Sequence, residues 1–155
     1  MTYEDFYISC KPNFHRITEC LSKAFGIDEE QIEVSQNPKE FSFQKQLRCE
    51  VSLFKGEFPY RLEMVSLEHD VLEIDILEKI GLFCELLECV SFYFGPAENS
   101  NPFMGLLIYK RKSYQQVLLN QDHLSHYKEI IVSKLGKIFS DPDDWDDSDF
   151  LKEML

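Results

Sequence analysis

The sequence predicts an α+β fold: one domain in which an antiparallel sheet of about five to seven strands packs with three main helices. Three observations carry this reading. Period-two alternation recurs along the chain, for example over residues 4–10, 47–54 and 60–67. Apolar residues recur at helical spacing in three separate segments. Short turn-rich connections such as Lys55-Gly56-Glu57 join neighbouring strand-like runs as hairpins do. At 155 residues the chain is long enough to bury a real core, and its thirteen Phe and seven Tyr argue against disorder.

In chain order, Phe6, Ile8 and Cys10 alternate with Tyr7 and Ser9, which predicts a first strand over 4–10. Pro12 and Asn13 break it. Phe14, Ile17, Leu21, Ala24 and Phe25 then follow at helical spacing, and Gly26 stands where a left-handed cap is wanted, so the first helix is predicted over 14–25. Ile32–Val34 reads as a short strand and Ser35–Glu40 as a loop. Leu47–Phe54 and Tyr60–Leu67 form the arms of a hairpin.

The second helix is predicted over about 75–88. Asp75 and Glu78 stand three apart as in a capping box, and Ile76, Ile80, Phe83 and Leu87 make one apolar stripe for the sheet. Leu82 and Leu86 fall off that stripe and need a second cover, either a terminal helix of the same chain or a dimer partner. Strands over Val90–Phe94, Met104–Tyr109 and Tyr114–Leu119 follow, the last two joined by the basic tip Lys110-Arg111-Lys112-Ser113. Asp122 is positioned to cap a final helix running to about Phe139, with Leu124, Tyr127, Ile131, Leu135 and Ile138 as its stripe. Residues 1–140 thus form the domain, and 141–155 an acidic C-terminal tail around Trp145, the sole tryptophan.

The formal net charge of −12 is concentrated in two places. Residues 63–88 carry eight acids against Lys79, and residues 141–155 carry seven against Lys152. What remains is close to neutral. Direct nucleic-acid binding is disfavoured, because phosphate contacts need clustered Lys and Arg. A basic protein partner suits the acidic regions.

No apolar run reaches the ~18 residues of a membrane helix, and Met-Thr-Tyr-Glu-Asp begins without a secretory signal, so a cytoplasmic, membrane-free protein is expected. The five cysteines are odd in number and lack metal-type spacing, which predicts reduced and mostly buried thiols.

Catalytic motifs are missing as well. The glycines form no phosphate-binding array and no nucleophile elbow is present. His123 and His126 beside Asp122 read as a helix start rather than a metal site. A calcium loop begun at Asp144 fails at its glycine position, Asp149, and at its closing Glu position, Leu155. The expectation is a binding protein with no catalytic residue, cofactor or metal. Its candidate partner-binding residues are Glu73, Glu78, Glu85 and Glu88 on the helix, and Asp143, Asp144, Trp145, Asp146 and Asp147 in the tail. Trp145 suits an interface anchor because it offers large area at small entropic cost.

The runs Ile74-Asp75-Ile76-Leu77-Glu78-Lys79-Ile80, Cys89-Val90-Ser91-Phe92-Tyr93-Phe94 and Asn101-Pro102-Phe103-Met104-Gly105-Leu106-Leu107-Ile108-Tyr109 fall within a stretch of about 50 residues, roughly a third of the chain. Their layout resembles that of bacterial immunity proteins of polymorphic and contact-dependent growth inhibition (CDI) toxin systems. The resemblance implies a small protein that neutralises a cognate toxin domain, often a nuclease, through a charged interface; it assigns no individual residue. The order of helices and strands is also similar to class I type III secretion chaperones, which dimerise through the middle helix and bind an extended effector segment. Leu82 and Leu86 would suit such a dimer, and monomer versus homodimer stays open at this point.

Overall fold

The computed structural model describes residues 1–42, 44–95 and 102–145. Eight strands form one continuous sheet: β1 (Thr2–Ile8), β2 (Ile32–Ser35), β3 (Leu47–Leu53), β5 (Tyr60–Ser66), β6 (Ser91–Tyr93), β7 (Met104–Lys110), β8 (Ser113–Leu119) and β10 (Val132–Phe139), in the spatial order β10-β8-β7-β6-β1-β5-β3-β2. Every pairing is antiparallel except β2 with β3. Two short strands, β4 (Lys55–Gly56) and β9 (Glu129–Ile130), pair in parallel apart from it. The helices are α1 (Phe14–Phe25), α2 (His69–Glu73), α3 (Ile76–Leu87) and α4 (Gln121–Tyr127).

The α+β class and the mostly antiparallel sheet agree with the sequence; the strand number, eight, is higher than predicted. The extra strand replaces most of the predicted final helix. Instead of a helix to Phe139, α4 stops at Tyr127, Lys128 turns left-handed at φ 52°, and the chain re-enters the sheet as β10 beside β8. Ile130-Ile131-Val132 is a β-branched run and Gly136 is a poor helix residue, so local preference opposes a long helix here. Leu135 and Ile138, predicted in a buried stripe, are 56% and 67% exposed on the edge strand. The cap also differs: Asn120 Oδ1, not Asp122, accepts from the His123 amide at 3.0 Å.

α1 matches its predicted span because both ends are fixed locally. Asn13 Oδ1 accepts from the Arg16 amide at 2.8 Å, and left-handed Gly26 donates its N–H to the Ser22 carbonyl at 2.9 Å. β1 begins and ends two residues earlier than expected, and it lies at the middle of the sheet between β5 and β6. Its even residues Phe6 and Ile8 join the main core under α1 and α3, where Phe6 meets Phe83 edge-on with ring centroids 5.4 Å apart. Each such side chain contributes about 1.5–3 kcal/mol by leaving water. Tyr7 enters a smaller core on the opposite face with Phe58, Phe92, Leu107, Val117 and Ile130.

α3 starts one residue later than drawn from sequence, and the capping box does not form. Asp75 occupies the cap position in a left-handed conformation, φ 52°, and its side chain makes no capping bond. α2 precedes it so closely that Asp75 must reverse the chain, and Lys79 Nζ ties the two helices by donating to the Val71 carbonyl at 2.8 Å. α1 packs beside α3, Arg16 Nη2 donates to the Leu86 carbonyl at 2.6 Å, and Leu82 and Leu86 are half-buried against the main core. Among the described residues no helix is long and apolar enough to cross a membrane.

Candidate functional site

A concavity of about 700 Å³ opens at the N-terminal end of α3. Three separate parts of the chain build it. The left-handed turn at Asp75 brings Glu73, at the end of α2, and Glu78, in the first turn of α3, to one rim. Tyr93 of β6 and Tyr114 of β8 stand on the sheet beneath, each almost wholly buried. The segment after β10 closes the other side with Asp141, Pro142 and Trp145.

That closing segment is held by its own chemistry. Asp141 Oδ1 accepts from the Asp143 amide at 3.0 Å, which starts a 3₁₀ turn over Pro142–Asp144. Lys137 Nζ of β10 donates to the Asp144 carbonyl at 2.7 Å. Trp145 leaves this turn and packs half-buried against the main core, over Gly95.

The site is electronegative. Glu73, Asp75, Glu78 and Asp141 line it against one cation, Lys112. Burial pushes the Tyr114 phenol above its ordinary value, and the charges of Glu78 and Asp75 add to that push against the lowering effect of its bond with the Lys112 amide. On the floor, Tyr93 donates to Glu4 Oε2 at 2.9 Å, and burial with the Glu4 charge drives that phenol well up. Burial also raises the Glu4 carboxyl, against the bond from Tyr93. Carboxylates clustered beside the half-buried Trp145 form an environment whose charge favours a guanidinium or ammonium group. Among the described residues no group of three or more His, Cys, Asp or Glu is placed to hold a metal.

Of the residues singled out by sequence, Glu73, Glu78 and Trp145 meet at this cleft. Asp143 and Asp144 sit in the turn that delivers Trp145. Glu85 does not join them; it is paired with Arg111, whose Nε lies 2.9 Å from Oε2. Glu88 is exposed at the left-handed cap at the far end of α3, about 18 Å along the helix by its rise per residue. Asp146 and Asp147 lie outside the described residues. Sequence reasoning took Asp75 as a cap and missed Tyr93 and Tyr114. Their signal, two tyrosines on inward-facing strand positions near acidic segments, depends on strand order that no local pattern supplies.

Elsewhere several charged groups are paired with one another. On the face of β1 and β5 away from α3, Arg61 Nη2 lies 2.8 Å from Asp5 Oδ2 and Arg61 Nη1 lies 3.0 Å from Glu63 Oε1, while Tyr3 donates to Glu63 at 3.1 Å. His123 contacts Glu129 at 3.4 Å between Nδ1 and Oε2. No family model, curated protein or solved structure matches the chain.

Proposed function

We propose that this chain is an immunity protein: it binds a cognate toxin domain with a basic surface, such as a nuclease, and neutralises it without catalysis or a cofactor. The observation that supports the reading best is the convergence of the neighbouring Glu73 and Glu78 with the sequence-distant Trp145 on one acidic cleft with an aromatic anchor. Such a surface complements a groove built for phosphates and steers association with it. The layout resemblance to immunity proteins points the same way. The chaperone-like dimer draws less support, because Leu82 and Leu86 pack against the main core of their own chain.

The test is a charge-reversed variant, Glu73→Lys/Glu78→Lys/Asp141→Lys, compared with the parent for binding to the basic partner domain that the parent chain pulls down. Affinity should fall at least a hundredfold at low salt, and the salt dependence of the on-rate should flatten. Unchanged affinity and salt dependence would remove the acidic cleft from the interface.

A further inference from the structure

β1 and β6 run antiparallel with Tyr7 opposite Phe92 and Ile8 opposite Ser91. One step beyond the strands, the Ser9 amide donates to the Val90 carbonyl at 2.9 Å, and the Val90 amide donates to Ser9 Oγ at 2.9 Å. The next pair in this register is Cys10 with Cys89. The bond from the Ser9 amide to the Val90 carbonyl carries the pairing one step past the strands, and the same register places Cys10 across from Cys89 at the next position, where facing Cβ atoms of antiparallel chains come close. A cross-strand disulfide needs Cα atoms about 4.4–6.8 Å apart, a range that includes the roughly 4.5–5.5 Å typical of facing antiparallel residues. Cys84 and Cys89 belong to the main core and Cys10 packs against it, and the Cys89 thiol is close enough to Cys10 to raise its pKa. All three are free; Cys10 is half-buried and the other two are buried.

We propose that Cys10 and Cys89 are an oxidisable pair that forms an intramolecular disulfide, with a hydroperoxide as oxidant. The Cys10 thiolate attacks the terminal peroxide oxygen, the O–O bond breaks, and an alcohol leaves with the Cys10 proton, giving a sulfenic acid. The Cys89 sulfur then attacks that sulfenic sulfur and releases water with its own proton. Two thiols are oxidised, one peroxide is reduced, and an S–S bond joins the end of β1 to the residue after the α3 cap. Cys10 is the entry point because it alone of the three is partly open to solvent. Cys84 is the competing partner for Cys89, but it is 1% exposed inside α3.

Burial, with the neighbouring Cys89 thiol, pushes Cys10 up to about 12. Oxidation is therefore slow at neutral pH and accelerates about tenfold for each pH unit below that value, following the thiolate fraction. The bond would close a long loop between residues 10 and 89, which raises the thermal midpoint by restricting the unfolded chain.

The test treats the full-length protein with tert-butyl hydroperoxide at two pH values, blocks residual thiols by alkylation, and maps peptides without reduction. The expected result is a Cys10 peptide linked to a Cys89 peptide with the loss of two hydrogens, more of it at higher pH. A rise of several degrees in Tm should accompany it and be reversed by dithiothreitol. Cys84→Ser should keep both effects and Cys10→Ser, at a half-open position, should abolish both. A Cys84–Cys89 link, a link between two molecules, or Cys10 carried to the sulfinic acid while Cys89 stays alkylatable would overturn the pairing.

Discussion

The indole of Trp145 lies against Gly95, so close that a Cβ built on that glycine would come 2.9 Å from Cζ3. Gly95 also has φ +89°, a conformation side chains rarely adopt. The contact joins the acidic C-terminal segment to the sheet and fixes one wall of the cleft.

Gly95→Ala should therefore undock the tryptophan. Because Trp145 is the only tryptophan, its emission reports the change directly: the maximum should move to longer wavelength, with a stability loss of about 1–2 kcal/mol in urea unfolding. An unshifted spectrum in a folded variant would mean that the ring finds the same seat without Gly95.

A second glycine sets how closely α3 approaches the tip between β7 and β8. A Cβ at Gly81 would come 2.7 Å from the Arg111 backbone nitrogen and 2.8 Å from its Cα. Gly81→Ala improves helix propensity by about 1 kcal/mol, yet it forces two backbones apart. The overlap should win, with a net loss of roughly 1–2 kcal/mol by denaturant titration; a more stable variant would show that the tip yields easily.

Glu85 separates structural from partner-binding charge. Its carboxylate accepts from the Arg111 amide at 3.2 Å as well as from Nε at 2.9 Å, in a partly exposed pair. Glu85→Ala should cost about 0.5 kcal/mol of stability and leave toxin affinity within twofold. A large affinity loss would extend the interface along α3, away from the cleft.

Leu82→Glu/Leu86→Glu distinguishes the core of a monomer from a dimer seam. With both leucines packed in their own chain, the double change should lower stability by about 2–4 kcal/mol at unchanged apparent mass in size-exclusion chromatography. A folded variant half the parent's mass would support the chaperone-like dimer instead.

The raised carboxyl of Glu4 gives a pH signature. Burial is the main cause, so the folded state holds this proton more tightly than the unfolded state, whose ordinary value is 4.5. Its contribution to stability is complete below that pH and is lost as pH rises through the folded value. Glu4→Gln keeps an acceptor for Tyr93 and should be more stable than the parent at pH 7, with the difference vanishing below pH 4.5. Parallel stability curves for the two proteins across this range would contradict the burial account.

Local signals made much of the fold legible. Asn13 and Gly26 bracket α1, and the stripe of Ile76, Ile80 and Phe83 identifies α3. The C-terminal third misled for a physical reason: β10 carries two register irregularities against β8, between Val132 and Lys134 and between Leu135 and Ile138. These bulges erase the alternation that marks a strand, and Leu124, Tyr127, Ile131, Leu135 and Ile138 then mimic helical spacing. At the site, charge density disclosed Glu73 and Glu78, and rarity disclosed Trp145. Tyr93, Tyr114 and Gly95 were hidden because their place in the cleft depends on pairings far apart in sequence.

The central claim is neutralisation of a toxin, and co-expression tests it most directly. The partner that the tagged chain recovers from its host is identified by mass spectrometry, its candidate toxin domain is induced with and without the chain, and survival is counted. The account predicts that the domain kills alone, that the chain restores growth in a stable complex, and that the charge-reversed cleft variant fails to do so while still folded. Full toxicity in the presence of the folded parent chain, with no complex recovered, would contradict it.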